Sequence, residues 1–516
     1  MYRMNRVLTL LALAALLAGA CQPIVALTPD DTQTEAALPV PRFEPSACKY
    51  SIPEWANTTC GYLVVREDRS QPGGEEIRLH VVIFKGASAE PAADPLILLN
   101  GGPGSAGQPM IDGMLYSHVG AVWRSARDVI YIDQRGTGFS IPSLYCPETA
   151  IAQATVASTS YTATMAAETS GLQRCYTRLY EDGVNLAAYN LAESAADIND
   201  LRLALGYAQV NLYGFSYGSL LAEAIMLDHP AALRSVVMDS VLPLGTDLVH
   251  ERPVCLQSGL QALFAGCAAD AACQAAYPAL EAHFYAVLER LRESPAVIPL
   301  NTLGEIHLVM LDDLKFLDHI FYQLQRGAVH SLPRTIEAAF ARNYSQPAWG
   351  WLSYAAGEEI EAGPLTRLKA YGLYYSTLCN YAAGLAAAGA ESSPCASCAE
   401  SGDLHPSLAA YAGFMLTPCA FWEAGAAPAR LAMPMPAVQI PALLLTGAYD
   451  CALPFHLSQK EAGRLGDSYH FVLPVGHTVV ASQCGLDLTR QFLADPTQAP
   501  DSACIGEMEM NWAPPE

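Results

Sequence analysis

The stretch Val210-Asn-Leu-Tyr-Gly-Phe-Ser-Tyr-Gly-Ser-Leu-Leu-Ala-Glu-Ala constrains this chain more than any other. Val210 to Tyr213 is short, apolar and β-prone, the pattern of a buried strand. From Ser219 onward the residues are Leu- and Ala-rich helix formers. Between them lies Gly214-Phe-Ser216-Tyr-Gly218, a G-x-S-x-G. A strand that turns sharply into a helix holds its turn residue in a strained conformation. Flanking glycines let neighbouring backbone pass without a Cβ clash. The Ser216 side chain then stands clear beside a helix N-terminus, whose unpaired N–H groups favour negative charge. A glycine-rich turn with no chemistry can carry the same letters, so the rest of the chain must supply partners.

The neighbouring segments repeat one pattern. Ile77, Leu79, Val81 and Ile83 alternate as a strand packed on one face. Pro95-Leu-Ile-Leu-Leu is a buried strand running into Asn100-Gly101-Gly102-Pro103-Gly104-Ser105-Ala-Gly107. So many glycines bring bare backbone N–H groups close to something. No Lys-Ser/Thr follows, so the loop is not a phosphate-binding Walker A, and an oxyanion-hole loop fits better. Asp128-Val-Ile-Tyr-Ile is a third strand, ending in Asp133-Gln134-Arg135-Gly136-Thr-Gly138-Phe-Ser140. Asp133 and Arg135 read as structural residues that tie loops together. Helices fill most of 147–205, and Ser235-Val-Val-Met is a further strand. Short apolar strands alternating with helices imply an α/β fold, a mostly parallel sheet covered by helices on both faces.

About 190 residues then pass with few buried-strand signals and helical periodicity around 255–295, 311–327 and 365–390. That is too long for a loop, so a helical cap domain is expected there. The sheet pattern resumes with Ala442-Leu-Leu-Leu-Thr, which ends at Gly447-Ala-Tyr-Asp450, and with Tyr469-His-Phe-Val-Leu, which ends at Pro474-Val-Gly-His477. The expected division is a signal peptide over 1–20, a flexible tether over 21–46, a first core part over 47–243, the helical insertion over 244–437, and a second core part over 438–516.

Ser216, Asp450 and His477 thus each follow the C-terminal end of an expected strand, where open α/β sheets place their ligand sites. The chemistry needs this set. A serine hydroxyl is a weak nucleophile until a base takes its proton, and imidazole titrates near neutrality. An Asp holds the imidazole in one tautomer and stabilises its charged form. His229 reads as a capping residue and His470 lies within a strand, so His477 is the base. Asp239, at the end of the strand before the insertion, is the rival acid. Asp450 is favoured because it precedes His477 by one strand–helix unit.

Five segments together resemble a known group. They are Asn-Gly-Gly-Pro-Gly-Ser at 100–105, Asp-Gln-Arg-Gly-Thr-Gly-Phe-Ser at 133–140, Gly-Phe-Ser-Tyr-Gly-Ser at 214–219, Gly-Ala-Tyr-Asp at 447–450 and Gly-His at 476–477. The chain resembles the proline iminopeptidase and tripeptidyl aminopeptidase group of α/β-hydrolases, over roughly 48–505 and closest to its exported branch. The resemblance implies Ser216 as nucleophile, Asp450 as acid and His477 as base. It also implies an oxyanion hole from the Tyr217 N–H and an N–H of the Gly101–Gly102 pair. Asn100 departs from the His usual in iminopeptidases, which weakens that narrower identity. Cap acids anchor a free amino group in iminopeptidases. Glu358, Glu359 and Glu361, beside Trp349, Trp351 and Tyr354, could do so here; an exposed acidic helix end is the simpler reading.

A net charge of −23 opposes binding to nucleic acid or anionic membranes. Arg3 and Arg6, the apolar run Val7–Leu17 and the small residues Ala18-Gly19-Ala20 form an export signal. Cys21 follows at once, and a lipid anchor there is favoured over simple cleavage before it. Fifteen cysteines in an exported chain point to several disulfides. Cys395-Ala-Ser-Cys398 is the lone C-x-x-C, weak support for a metal.

The resulting expectation is an exported serine hydrolase that releases residues or tripeptides from peptide N-termini through an acyl-enzyme. It needs no metal or organic cofactor. The alternatives are a carboxylesterase or amidase with the same triad, and a non-enzymatic binding protein on a hydrolase scaffold.

Overall fold

The computed structural model describes residues 39–105, 107–149, 156–302, 304–356, 369–389 and 404–515. The signal sequence, Cys21, most of the tether, Glu358, Glu359, Glu361 and the Cys395–Cys398 pair lie outside these residues, as does the Tyr354 side chain.

Nine strands form one sheet. They are β1 (Arg42–Pro45), β2 (Thr58–Arg66), β3 (Glu76–Phe84), β4 (Ala92–Leu99), β5 (Arg127–Ile132), β6 (Val210–Phe215), β7 (Leu233–Asp239) and, after a two-stranded hairpin β8 (Ala296–Thr302) and β9 (Glu305–Leu311), β10 (Ala442–Gly447) and β11 (Ser468–Leu473). Their order is β1-β2-β3-β5-β4-β6-β7-β10-β11. β5 through β11 of that order run parallel, and the first three strands pair antiparallel.

Alternation along each strand explains the two layers. On β4, Ile97 and Leu99 pack into one core and Leu96 and Leu98 into the other. On β10, Leu444 faces the first and Leu443 and Leu445 the second. Strands buried on both faces read as continuous apolar runs, which is how these segments stand in the sequence.

Two expectations change. Residues 42–45, read as the end of the tether, form an edge strand. Arg42 pairs with Glu44 and Glu76, and Glu44 with Arg78, so charges anchor the strand where apolar content does not. Among the described residues of 244–437, the regular elements are helical apart from the β8–β9 hairpin. That hairpin escapes the period-2 signal because its outward residues Val297, Ile306 and Leu308 are apolar and exposed.

The expected role of the Asp133–Arg135 turn is borne out. Asp133 accepts from the hydroxyls of Tyr50 at 2.6 Å and Tyr131 at 3.0 Å, and from the Phe139 N–H. Arg135 makes two 2.8 Å bonds to the buried Asp197 and a third to the Glu67 carbonyl. Both residues fasten the loops beneath the sheet edge that carries Ser216.

Candidate active site

Ser216 sits between β6 and the helix Tyr217–Asp228 with φ 55° and ψ −121°. A non-glycine residue in the positive-φ region is strained and persists only where its surroundings over-determine it. Here the surroundings are its own glycines. A Cβ on Gly218 would stand 2.1 Å from the Leu99 carbonyl oxygen, and one on Gly214 would stand 2.4 Å from the Gly218 carbonyl oxygen. The Ser216 N–H donates to the Asp239 carbonyl at 2.9 Å. Ser219 Oγ donates to the Ser216 carbonyl at 2.6 Å.

His477 follows β11 and Asp450 follows β10. The two loops meet backbone to backbone: the Tyr449 N–H donates to the Val475 carbonyl at 3.1 Å. His477 Nδ1 lies 2.8 Å from Asp450 Oδ2. The other Asp450 oxygen accepts the N–H groups of Ala452 at 2.9 Å and Leu453 at 3.0 Å, which fixes the carboxylate plane. Both side chains are buried. Burial pulls the His477 imidazole down. The charge of Asp450, its hydrogen bond and the charge of Asp239 together outweigh that, so the ring titrates above its ordinary value.

Ser216 and His477 line one cavity of about 140 Å³, together with Gly102, Tyr217, Leu220, Leu242, Leu378 and Leu385. The Ser216 hydroxyl and the His477 ring make no direct hydrogen bond. Bonds of this kind are commonly long until substrate is engaged. The N–H groups of Gly102 and Tyr217 have no acceptor among the described residues. The Gly101 N–H differs: it donates to Asn100 Oδ1 at 2.9 Å. Of the Gly101–Gly102 pair, the Gly102 N–H is thus the one left without an acceptor among the described residues. Gly101 contributes closeness instead, since a Cβ there would stand 3.2 Å from the Ser216 Cβ.

Three features escaped the sequence reading. The sequence offers Asp239 only as a rival acid. Its carboxylate lies at the end of β7 and accepts the N–H groups of Val479 and Val480, both at 3.0 Å, and the Tyr213 hydroxyl at 2.8 Å. Burial raises it to about 6, against the lowering by those three donors and by His477. Ser240, at φ 59°, donates its Oγ to the His477 carbonyl. Arg252 lines the same cavity. A strand-end acid such as Asp239 was visible; its partners, some 240 residues away, were not.

Of the aromatic group beside the unseen cap acids, Trp349 is exposed. Trp351 is buried against Tyr161, its Nε1 donating to the Lys315 carbonyl at 2.9 Å. His470 bonds Thr446 Oγ1 at 3.1 Å and stacks on Phe455. Among the described residues one cluster has metal-ligand spacing, Cys146, Glu148 and Cys175, and its two sulfurs are joined in a disulfide.

Residues 94–480 match a family model described as alpha/beta hydrolase fold. Similar curated proteins include serine protease Hip1 of Mycobacterium tuberculosis, 26% identical over 287 residues that cover 54% of this chain and 53% of that protein. Tripeptidyl aminopeptidase of Streptomyces lividans is 28% identical over 218 residues, 40% of this chain and 39% of that protein. The chain thus spans about half the length, or less, of these curated relatives. Among solved structures, proline iminopeptidase of Mycobacterium smegmatis covers 84% of this chain and 98% of its own at 15% identity and a TM-score of 0.42.

Proposed function

From the premise that the chain belongs to the alpha/beta hydrolase fold family, we propose that it is an exported serine hydrolase acting on peptides from the N-terminus. The observation that carries the hydrolase reading is the 2.8 Å His477–Asp450 pair in one cavity with a serine held at φ 55°. Asp450 holds Nδ1, so Nε2 is left for the Ser216 proton.

The steps follow from that placement. Ser216 Oγ attacks the substrate carbonyl carbon as His477 takes its proton. The oxygen that becomes negative is met by the N–H groups of Gly102 and Tyr217. Two such donors in a water-poor site are worth several kcal/mol, of which one contributes about 3. His477 returns the proton to the leaving amine, and an acyl group remains on Ser216. Water then attacks the acyl carbon with His477 again as base, which restores the serine.

Peptide substrates are supported by the names of the relatives, a serine protease and a tripeptidyl aminopeptidase. Export is supported by the N-terminal sequence and by five disulfides among the described residues. A lipid anchor at Cys21 rests on sequence alone. The apolar lining of the cavity favours a second reading, an esterase or amidase of small substrates.

The test compares aminoacyl and tripeptidyl chromogenic amides, with free and N-blocked termini, against short-chain nitrophenyl esters. Amide cleavage lost on blocking the amino end is the expected result. Ester cleavage alone moves the protein to the second reading.

A further inference from the structure

Among the described residues that line the cavity of Ser216 and His477, Arg252 alone carries a permanent positive charge. It lies on the helix Leu248–Ala269, one turn in from the start. Its guanidinium is 4.8 Å from the Phe321 ring centre and 5.7 Å from that of Tyr411. Two rings at this range attract the cation and hold it in place. Asp318, whose charge acts on Arg252, is occupied by the Tyr411 hydroxyl, which donates to it at 2.6 Å. Asp247 is the one carboxylate among the described residues of the cavity wall. Among the described residues no carboxylate stands at ion-pairing distance from the guanidinium; its side-chain partner is the Tyr411 hydroxyl, which accepts from it and donates to Asp318.

A guanidinium presents five donors in a planar fork matched to a carboxylate. Asp318 meets that charge only through Tyr411, so the fork has no direct carboxylate partner from the protein and is open to one from a ligand. Aromatic packing accounts for where the arginine is held. One Tyr411 hydroxyl cannot engage all five donors, and Arg252 shares a cavity with the serine.

We propose that Arg252 binds a carboxylate of the substrate inside the cavity, giving this hydrolase a preference for substrates with an anionic group near the bond that is cut. The proposal rests on reading Ser216 as the nucleophile, but not on peptides being the substrates. The carboxylate has two sources, an acidic side chain or the free C-terminus of a short peptide.

Two measurements on the full mature chain test it. In the first, kcat/KM is compared within matched pairs: Glu against Gln at each position of peptidyl nitroanilides, free against amidated C-termini of short peptides, and hemisuccinate against butyrate nitrophenyl esters. The expected preference for the carboxylate member is roughly 10- to 100-fold in one arm, which also identifies the source. In Arg252→Gln the preference ratio should collapse towards one, and in Arg252→Lys, which keeps the charge without the fork, it should weaken. Absence of any preference in the wild-type chain overturns the proposal, as does a preference that persists unchanged in Arg252→Gln. If Arg252→Gln fails to fold, Arg252→Lys decides, an unchanged ratio overturning it.

The second measurement needs no turnover. Calorimetry follows N-acetylglutamate against N-acetylglutamine on Ser216→Ala, with and without Arg252→Gln. Carboxylate-selective binding that requires Arg252 supports the proposal even if the nucleophile were misassigned. Equal binding of the two compounds overturns it.

Discussion

Asp239 accepts the backbone N–H of Val480 at 3.0 Å, and so fastens the loop of His477 to β7, two strands away from β11. His477, the proposed base, is therefore held from three sides, by Asp450 at its ring, by Ser240 at its carbonyl and by Asp239 at the residues that follow. Asp239→Asn keeps the shape but turns an N–H towards one of two N–H donors. A displacement of about 1 Å at a catalytic group can cost on the order of 100-fold. We expect kcat/KM to fall roughly 10- to 100-fold, and steady-state rates equal to wild type would remove Asp239 from the positioning of the base.

The pH profile carries a second expectation. The His477 ring is raised, so its protonated, inactive form persists to a higher pH than an ordinary imidazole allows. Activity should then rise with pH through a midpoint above 6.5, the ordinary value. Part of that elevation comes from the charge of Asp239, so Asp239→Asn should move the acid limb to lower pH. A limb centred below 6.5 in the wild-type chain would contradict the described electrostatics.

Removal of the nucleophile or the acid should act on kcat. Ser216→Ala should lose turnover by about 10⁶-fold, and Asp450→Asn, which favours the wrong imidazole tautomer, by about 10⁴-fold. Neither change should prevent folding, which circular dichroism would check. Rates near wild type for Ser216→Ala would place the chemistry elsewhere.

Asn100 organises the glycine loop: its side chain accepts the Gly101 N–H at 2.9 Å, and its carbonyl accepts from Gln134 at 3.0 Å. Asn100→Ala frees that N–H and loosens the peptide that carries the Gly102 donor. We expect kcat to fall about 10- to 100-fold with KM little changed, because the contact it supports strengthens only in the transition state. A change confined to KM would argue for substrate binding instead.

Arg135, which does not line the cavity, supplies a stability test. Burial raises the Asp197 carboxyl, and the Arg135 and Arg69 guanidiniums more than offset this, leaving it below its ordinary value. Its contribution is thus present at neutral pH and is lost as pH falls through that lowered value. Arg135→Met leaves Asp197 buried with only Arg69, and should cost about 3 to 5 kcal/mol in urea unfolding, less as the pH is lowered. A loss under 1 kcal/mol would mean that Arg69 suffices.

The sheet was legible because its strands are buried on both faces and keep their apolar runs regardless of context. Ser216 was legible because its strain demands glycines at fixed offsets, and Asp450 and His477 because they end strands in a fixed chain order. β1 was hidden because four residues held by ion pairs carry no apolar period. Arg252 stood among helical residues where a charge most often marks a solvent face. Ser240 and Asp239 act through backbone groups of residues remote in sequence, and no local pattern announces such partners.

The disulfides divide into two sets. Cys48–Cys60, Cys146–Cys175 and Cys484–Cys504 join residues outside 244–437, and Cys267–Cys273 and Cys379–Cys419 join residues within it. Among the described residues no cross-link passes from one set to the other. Hydrogen bonds from the Ala370 N–H to Gly104 and from the Gly372 N–H to Leu144, and the Arg430–Asp228 ion pair, make that passage instead. The two parts are therefore joined, among the described residues, by ties that thermal energy can break and remake, while oxidation of the cysteines stiffens each part without fixing one to the other.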